Sequence, residues 1–286
     1  MNQADNLQKL VNSSKKAKTK FIAITSGKGG VGKSTISSNM AYLLSTFGYK
    51  VAIFDADIGL ANLDIMFNVS VEKNILHLLK NEAILEDILI EINKNLYLIP
   101  GDSGEEMFKY TNNQILENVF KYPTILDDMD YMIIDTGAGI GQFTKHFLEI
   151  ADEVIVLTIP DPSAITDAYA TIKVCSRFKE RVHFAINMTR NKDEGKFIFS
   201  KVKHIADENL RKGFSLEYLG NISNSNIIKK SVQERVIFSK EYSGSLATRD
   251  LINILKDFIF KVESRKVDFD IDRSFKGFLT RLVERF

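Results

Sequence analysis

The 286-residue chain suits one large α/β domain with appendages or two small domains, and its 44% hydrophobic content is ample for a buried core. A formal charge of +1 excludes a global electrostatic pull towards nucleic acid, so no nucleic-acid partner is expected. The single cysteine, Cys175, excludes an intrachain disulfide and suits a reducing cytosol. No apolar run of about 18 uncharged residues and no signal-peptide core is present, so a cytoplasmic chain that touches membrane only from the surface is expected.

In chain order, residues 1–12 read as a short helix and Ser13 to Lys20 as a polar, basic linker. Strand-like runs follow at 21–25, 50–54, 96–99, 131–135, 153–159, 182–187 and 214–219. Most are continuously apolar, as in Val51-Ala52-Ile53-Phe54, which is how strands covered on both faces read. Helical patterns fill the gaps at 34–47, 74–90, 112–121, 142–150, 163–179, 196–212, 224–233 and 241–262. The alternation predicts an α/β fold with a doubly wound, mostly parallel sheet and helices on both faces. The expected organisation is an N-terminal helix and linker (1–19), a nucleotide-binding domain (20–262), a linker (263–272) and a terminal amphipathic helix (273–286).

Between the first strand and the first helix stands Gly27-Lys28-Gly29-Gly30-Val31-Gly32-Lys33-Ser34-Thr35, which satisfies the phosphate-cradling pattern G-x-x-x-x-G-K-[ST] in the strand-to-helix context the pattern requires. Its glycines let backbone N–H groups face phosphates, and the helix that follows adds a favourable dipole. Lys33 would reach the terminal phosphates and Ser34 would complete a magnesium shell. Asp55 and Asp57 follow the second strand, and Asp135 ends the strand Tyr131 to Ile134, so three carboxylates are placed to meet the loop. Asp135 would hold Mg²⁺ through water, and Gly137 and Gly139 would let the backbone move when the γ-phosphate is lost. No N-K-x-D guanine motif is present, so ATP with Mg²⁺ is the expected cofactor pair.

The extra lysine, Lys28, resembles the deviant P-loop of the MinD, ParA and nitrogenase iron protein family. That resemblance implies a homodimer sandwiched around ATP, with Lys28 crossing to the partner's phosphates. The segment Asp55-Ala56-Asp57-Ile58-Gly59-Leu60-Ala61-Asn62-Leu63-Asp64 is similar to the family's switch I, which implies that Asp57 orients the attacking water and that Asp55 lies near the metal. Ala61 departs from the arginine that relatives often carry. Asp135-Thr136-Gly137-Ala138-Gly139 resembles switch II. Asn187, ending the strand from Val182, resembles the position that meets the adenine edge, although a structural turn would use the same residue. The iron–sulfur ligation of the nitrogenase relatives takes two cysteines per subunit, and this chain has one.

The two ends select a branch. Phe275, Phe278, Leu279, Leu282 and Phe286 fall on one helical face, flanked by Arg273, Lys276, Arg281 and Arg285. Such a helix reads as an interfacial anchor for anionic lipid and resembles the membrane-targeting helix of MinD, implying peripheral attachment to the inner face of the cell membrane. The stretch with Gln3, Ala4 and Leu7 resembles the D-Q-A-x-x-L-R element of the FlhG/FleN/YlxH family, where it acts on the GTPase FlhF. The resemblance implies an ATPase regulating flagellar number or placement, with FlhF-like GTPase, flagellar switch-complex or regulator proteins as partners. A MinD-type division-site ATPase and, more distantly, a ParA-type partition ATPase are the alternatives.

Overall fold

The computed structural model describes residues 19–57, 61–102, 125–264 and 275–283. The described strands are β1 (Lys20–Ser26), β2 (Val51–Ala56), β3 (Ile90–Asn93), β4 (Leu96–Ile99), β5 (Tyr131–Ala138), β6 (Glu153–Thr158), β7 (Arg181–Thr189) and β8 (Ser215–Ser223). They form a sheet in the order β3-β4-β2-β5-β1-β6-β7-β8, parallel throughout except where β3 runs against β4. The β2–β5 register sets Asp55 beside Asp135, so two carboxylates share one end of the sheet next to the end of β1.

The helices are α1 (Lys33–Thr46), α2 (Leu63–Phe67), α3 (Ile75–Leu79), α4 (Leu85–Ile88), α5 (Gln142–Ile150), α6 (Pro162–Cys175), α7 (Lys192–Asn209), α8 (Asn226–Glu234), α9 (Phe238–Glu241), α10 (Leu246–Glu263) and α11 (Phe275–Val283). Alternation along β1 feeds two cores. Phe21 and Ala23 belong to one cluster with Phe147, Ile172 and Ile198, whereas Ile22 and Ile24 belong to another with Ile36, Met40, Leu44, Leu251 and Phe258. Both faces of the sheet are therefore apolar and covered, as the continuous runs require.

Three expectations change. The helix expected at 74–90 is instead α3, α4 and β3. Asn81 adopts a left-handed φ of 57° just beyond α3, and Ile90 and Ile92 turn to the second core while Glu91 stays exposed. The helix expected at 241–262 starts at Leu246, where the Ser245 side chain accepts from the Thr248 N–H, leaving α9 as a separate turn. The helix expected at 112–121 lies outside the described residues.

The last change concerns the terminal helix. Phe275, Phe278, Leu279 and Leu282, expected to meet lipid, are buried in the first core. The Phe278 ring stacks on Phe21 with centroids 4.6 Å apart and planes 3° apart, and lies 6.5 Å from the Phe147 ring. With no bilayer to take it, each such side chain gains about 1.5–3 kcal/mol by leaving water for the apolar ground beside α5. Phe286 lies outside the described residues. Among the described residues no helix is long and apolar enough to cross a membrane.

Candidate nucleotide-binding site

The loop of residues 27–32 joins β1 to α1, and close contacts dictate two of its glycines. A Cβ on Gly27 would come within 2.2 Å of the Asp167 carbonyl carbon in α6. Gly32 has φ 88° at the N-cap of α1, and a Cβ there would meet the Asn187 side-chain nitrogen at 2.6 Å. Gly29 and Gly30 are exposed at the loop's tip, Val31 and Thr35 are buried beneath it, and Ser34 is half-buried in the first turn of α1. The amides of that first turn, with the positive end of the helix dipole, are arranged for an anion.

Lys33 is 7% exposed, and its Nζ donates to Asp135 Oδ1 at 3.0 Å, with Asp57 Oδ2 at 3.9 Å. The Ser37 hydroxyl, one turn on, donates to the same Asp135 oxygen at 2.8 Å. Asp135 Oδ2 is buried and has no hydrogen-bond partner among the described residues. Asp55 accepts from the Asn62 and Leu63 N–H groups at 2.8 and 2.9 Å and from the Asp57 N–H at 3.3 Å. Burial, helped by the neighbouring Asp135 charge, pushes the Asp55 carboxyl up to about 7 against those three amides. Asp57 is also raised by burial, with Lys33 opposing and Asp135 reinforcing the shift.

These donors fit a hard cation. Mg²⁺ is held by one or two carboxylates together with substrate phosphates rather than by an all-protein cage. The orphaned Asp135 oxygen, the Ser34 hydroxyl and Asp55 are the groups that would hold it, and it would neutralise phosphate charge there.

Lys28 lies elsewhere. Its side chain is 45% exposed, and Nζ donates to Ser163 Oγ at 2.6 Å and sits 3.4 Å from Asp161 Oδ1. Asp161 also caps α6 by accepting from the Ala164 N–H. Its carboxyl is held down at about 2 by the Ser163 hydroxyl first, then by the Ala164 amide and Lys28.

Asn187 is fully buried, donates Nδ2 to the Val31 carbonyl at 2.9 Å and accepts from the Met188 N–H. In this structure it ties β7 to the phosphate loop. Sequence reasoning missed Ser37, Asp161 and Ser163. Ser37 was findable from its place one helical turn beyond Lys33, and Asp161 from the Asp-Pro-Ser start that marks a capped helix. Gln3, Ala4 and Leu7 lie outside the described residues.

A family model described as ParA, NUBPL iron-transfer P-loop NTPase, matches residues 17–259. The chain belongs to the ParA family of P-loop NTPases. This ParA-family chain is 45% identical, over 99% of its length and 98% of the relative's, to a Helicobacter pylori protein named flagellum site-determining protein YlxH. It is 31% identical over 92% of both chains to the antiactivator FleN of Pseudomonas aeruginosa. Its fold is that of MinD in an Aquifex aeolicus MinC:MinD complex, with a TM-score of 0.67 at 23% identity covering 88% of this chain and 99% of that one. A Pyrococcus horikoshii MinD bound to Mg-ADP gives a TM-score of 0.66 at 23% identity, covering 87% and 100%. Cys175 is a free, buried cysteine whose thiol burial pushes up to about 12.

Proposed function

We propose that this ParA-family protein is an ATP-hydrolysing switch that sets the number or position of flagella from the inner face of the membrane. The whole-length relation to a protein named flagellum site-determining carries the biological role. The site carries the chemistry. Lys33 is inside the cradle with Asp57 and Asp135, whereas Lys28 is at its exposed lip, where a second copy could present its own nucleotide. Loop amides, two lysines and Mg²⁺ would neutralise the phosphates, while Asp57 would orient water, a role its 21% exposure beside Lys33 supports.

In this reading ATP joins two copies face to face with Lys28 reaching across, and hydrolysis releases them. Membrane docking requires α11 to leave the core, and two tails in one dimer would add avidity to a weak single anchor. The N-terminal element would then meet an FlhF-like GTPase, and the switch complex or a flagellar regulator would read the state.

The test is an Asp57→Ala protein saturated with Mg-ATP, weighed by light scattering and sedimented with anionic liposomes. Doubled mass and ATP-dependent sedimentation, the latter lost in Phe278→Glu, support the scheme. A monomer, or liposome binding that persists without residues 273–286, overturns the dimer or the anchor respectively. A pull-down with residues 1–18 as bait tests the role, since recovery of division proteins rather than an FlhF-like GTPase would favour the MinD-type alternative.

A further inference from the structure

Well away from the phosphate loop lies a cavity of about 540 Å³ that none of this chemistry uses. The last turn of α1, the end of α2, β3 and the stretch joining α8 to α9 line it, leaving one side open. Tyr42 and Phe67 give it aromatic surface, and Lys94, Arg235 and Lys240 give it three cations against the acids Glu91 and Glu241. Lys240 is already 3.8 Å from Glu241. Lys94 and Arg235 are both exposed, and their side chains have no hydrogen bond or ion pair among the described residues. The lining therefore keeps one net positive charge and two uncommitted donors.

Two further observations bear on the ligand the cavity could take. The carbonyls at the end of α1, which would repel an anion, are already engaged. Tyr42 O accepts from Ser45 Oγ and Leu43 O from Thr46 Oγ1, both at 2.7 Å, and Ser45 O accepts from Asn95 Nδ2 at 3.4 Å. Arg235 also sits at the C-cap of α8 with a left-handed φ of 54°, where glycine or asparagine would fit with less strain. Its backbone gains nothing from being arginine, so any gain at this position comes from the side chain, which also suits the C-terminal end of a helix.

We infer that this cavity is an effector site for an aromatic anion of mononucleotide size, with its ring on Tyr42 and Phe67 and its phosphate between Lys94 and Arg235. The volume falls within the roughly 300–1,000 Å³ typical of ligand pockets. Guanidinium forks match phosphate oxygens, and aromatic faces match a base. The position couples the cavity to the phosphate site through two rigid elements. α1 carries Lys33 and Ser34 at one end and Tyr42 near the other, about 13.5 Å further along the axis at 1.5 Å per residue. α2 begins at the Leu63 amide that holds Asp55 and ends at Phe67. A ligand that shifts the far ends of these helices changes nucleotide affinity, and the nucleotide changes the ligand's affinity by the same factor.

The experiment uses the full chain saturated with Mg-ADP, so that the phosphate loop is filled, and titrates AMP and GMP by calorimetry. Saturable binding is expected, weakened about tenfold by Lys94→Ala and by Arg235→Gly. Arg235→Gly also relaxes the strained backbone, so its melting temperature should hold or rise while binding falls. That separates loss of a ligand contact from loss of fold. Fluorescent-ADP affinity of both variants without AMP or GMP should match the parent. No binding, binding undiminished in both variants, or displacement of ADP that is equal in all three proteins would each overturn the inference.

Discussion

Lys33 Nζ and Asp135 Oδ1 stand 3.0 Å apart in a pocket where the lysine is 7% exposed and the aspartate fully buried. In the proposed reading each would give up part of this contact to a ligand, phosphate for the lysine and a cation for the acid.

Asp135→Asn should release Lys33 to phosphate while removing the cation's anchor. Without Mg²⁺, ADP affinity is expected to rise several-fold. The gain in affinity on adding Mg²⁺ should shrink by about tenfold, near 1.4 kcal/mol. Fluorescent-ADP titrations with EDTA and with Mg²⁺ check both, and an equal loss in the two conditions would contradict the reading.

Lys28→Ala removes a charge held by Asp161 and Ser163 at the exposed lip of the loop. Because surface pairs contribute little to stability, the melting temperature should move by no more than a degree or two. ADP binding should persist, while ATP-dependent doubling of mass should vanish. Light scattering beside a binding titration decides it.

Phe278→Ala removes the ring stacked on Phe21. A core Phe→Ala change costs about 3–5 kcal/mol, which urea unfolding would report. A smaller loss, with the amides of 275–283 exchanging faster than those of β1, would mark α11 as a unit that undocks before the sheet opens.

Acid should find a different weak point. Glu153 is buried on β6, which alone would raise its carboxyl, but hydrogen bonds from His183 at 3.0 Å and Arg181 at 2.7 Å overcome this and hold it at about 2. The folded value is depressed, so this stabilisation is present above the unfolded value near 4.5 and is lost as pH falls towards 2. Glu153→Ala should cost about 3 kcal/mol at neutral pH, the low end for a broken buried pair because the Arg181 side chain is 32% exposed. It should also flatten the acid limb of the stability curve, measured by urea midpoints from pH 2 to 7.

The sheet and the phosphate loop were legible because each is written in local sequence. Val51 to Phe54 is apolar throughout, and only glycine suits the close approaches at Gly27 and Gly32. What the sequence hid was non-local. The short edge strand β3 disguised itself inside a helical period because Ile90 and Ile92 also fit that spacing, and the β4 partner that decides the matter is a tertiary fact. Asn187 looked like a base reader, yet its amide in this structure is engaged by Val31 from a remote segment. The apolar stripe of the last helix was read correctly as a stripe, but amphipathicity does not say which oily surface receives it.

That ambiguity has a thermodynamic consequence. Phe275, Phe278, Leu279 and Leu282 cannot be lent to a bilayer without uncovering Phe21 and Phe147, so the proposed lipid attachment would exchange one greasy neighbour for another. The isolated tail peptide should therefore partition into vesicles more strongly than the intact protein does. If the protein docks on lipid as proposed, the net drive would be the difference between these two burials, which is where nucleotide occupancy would act.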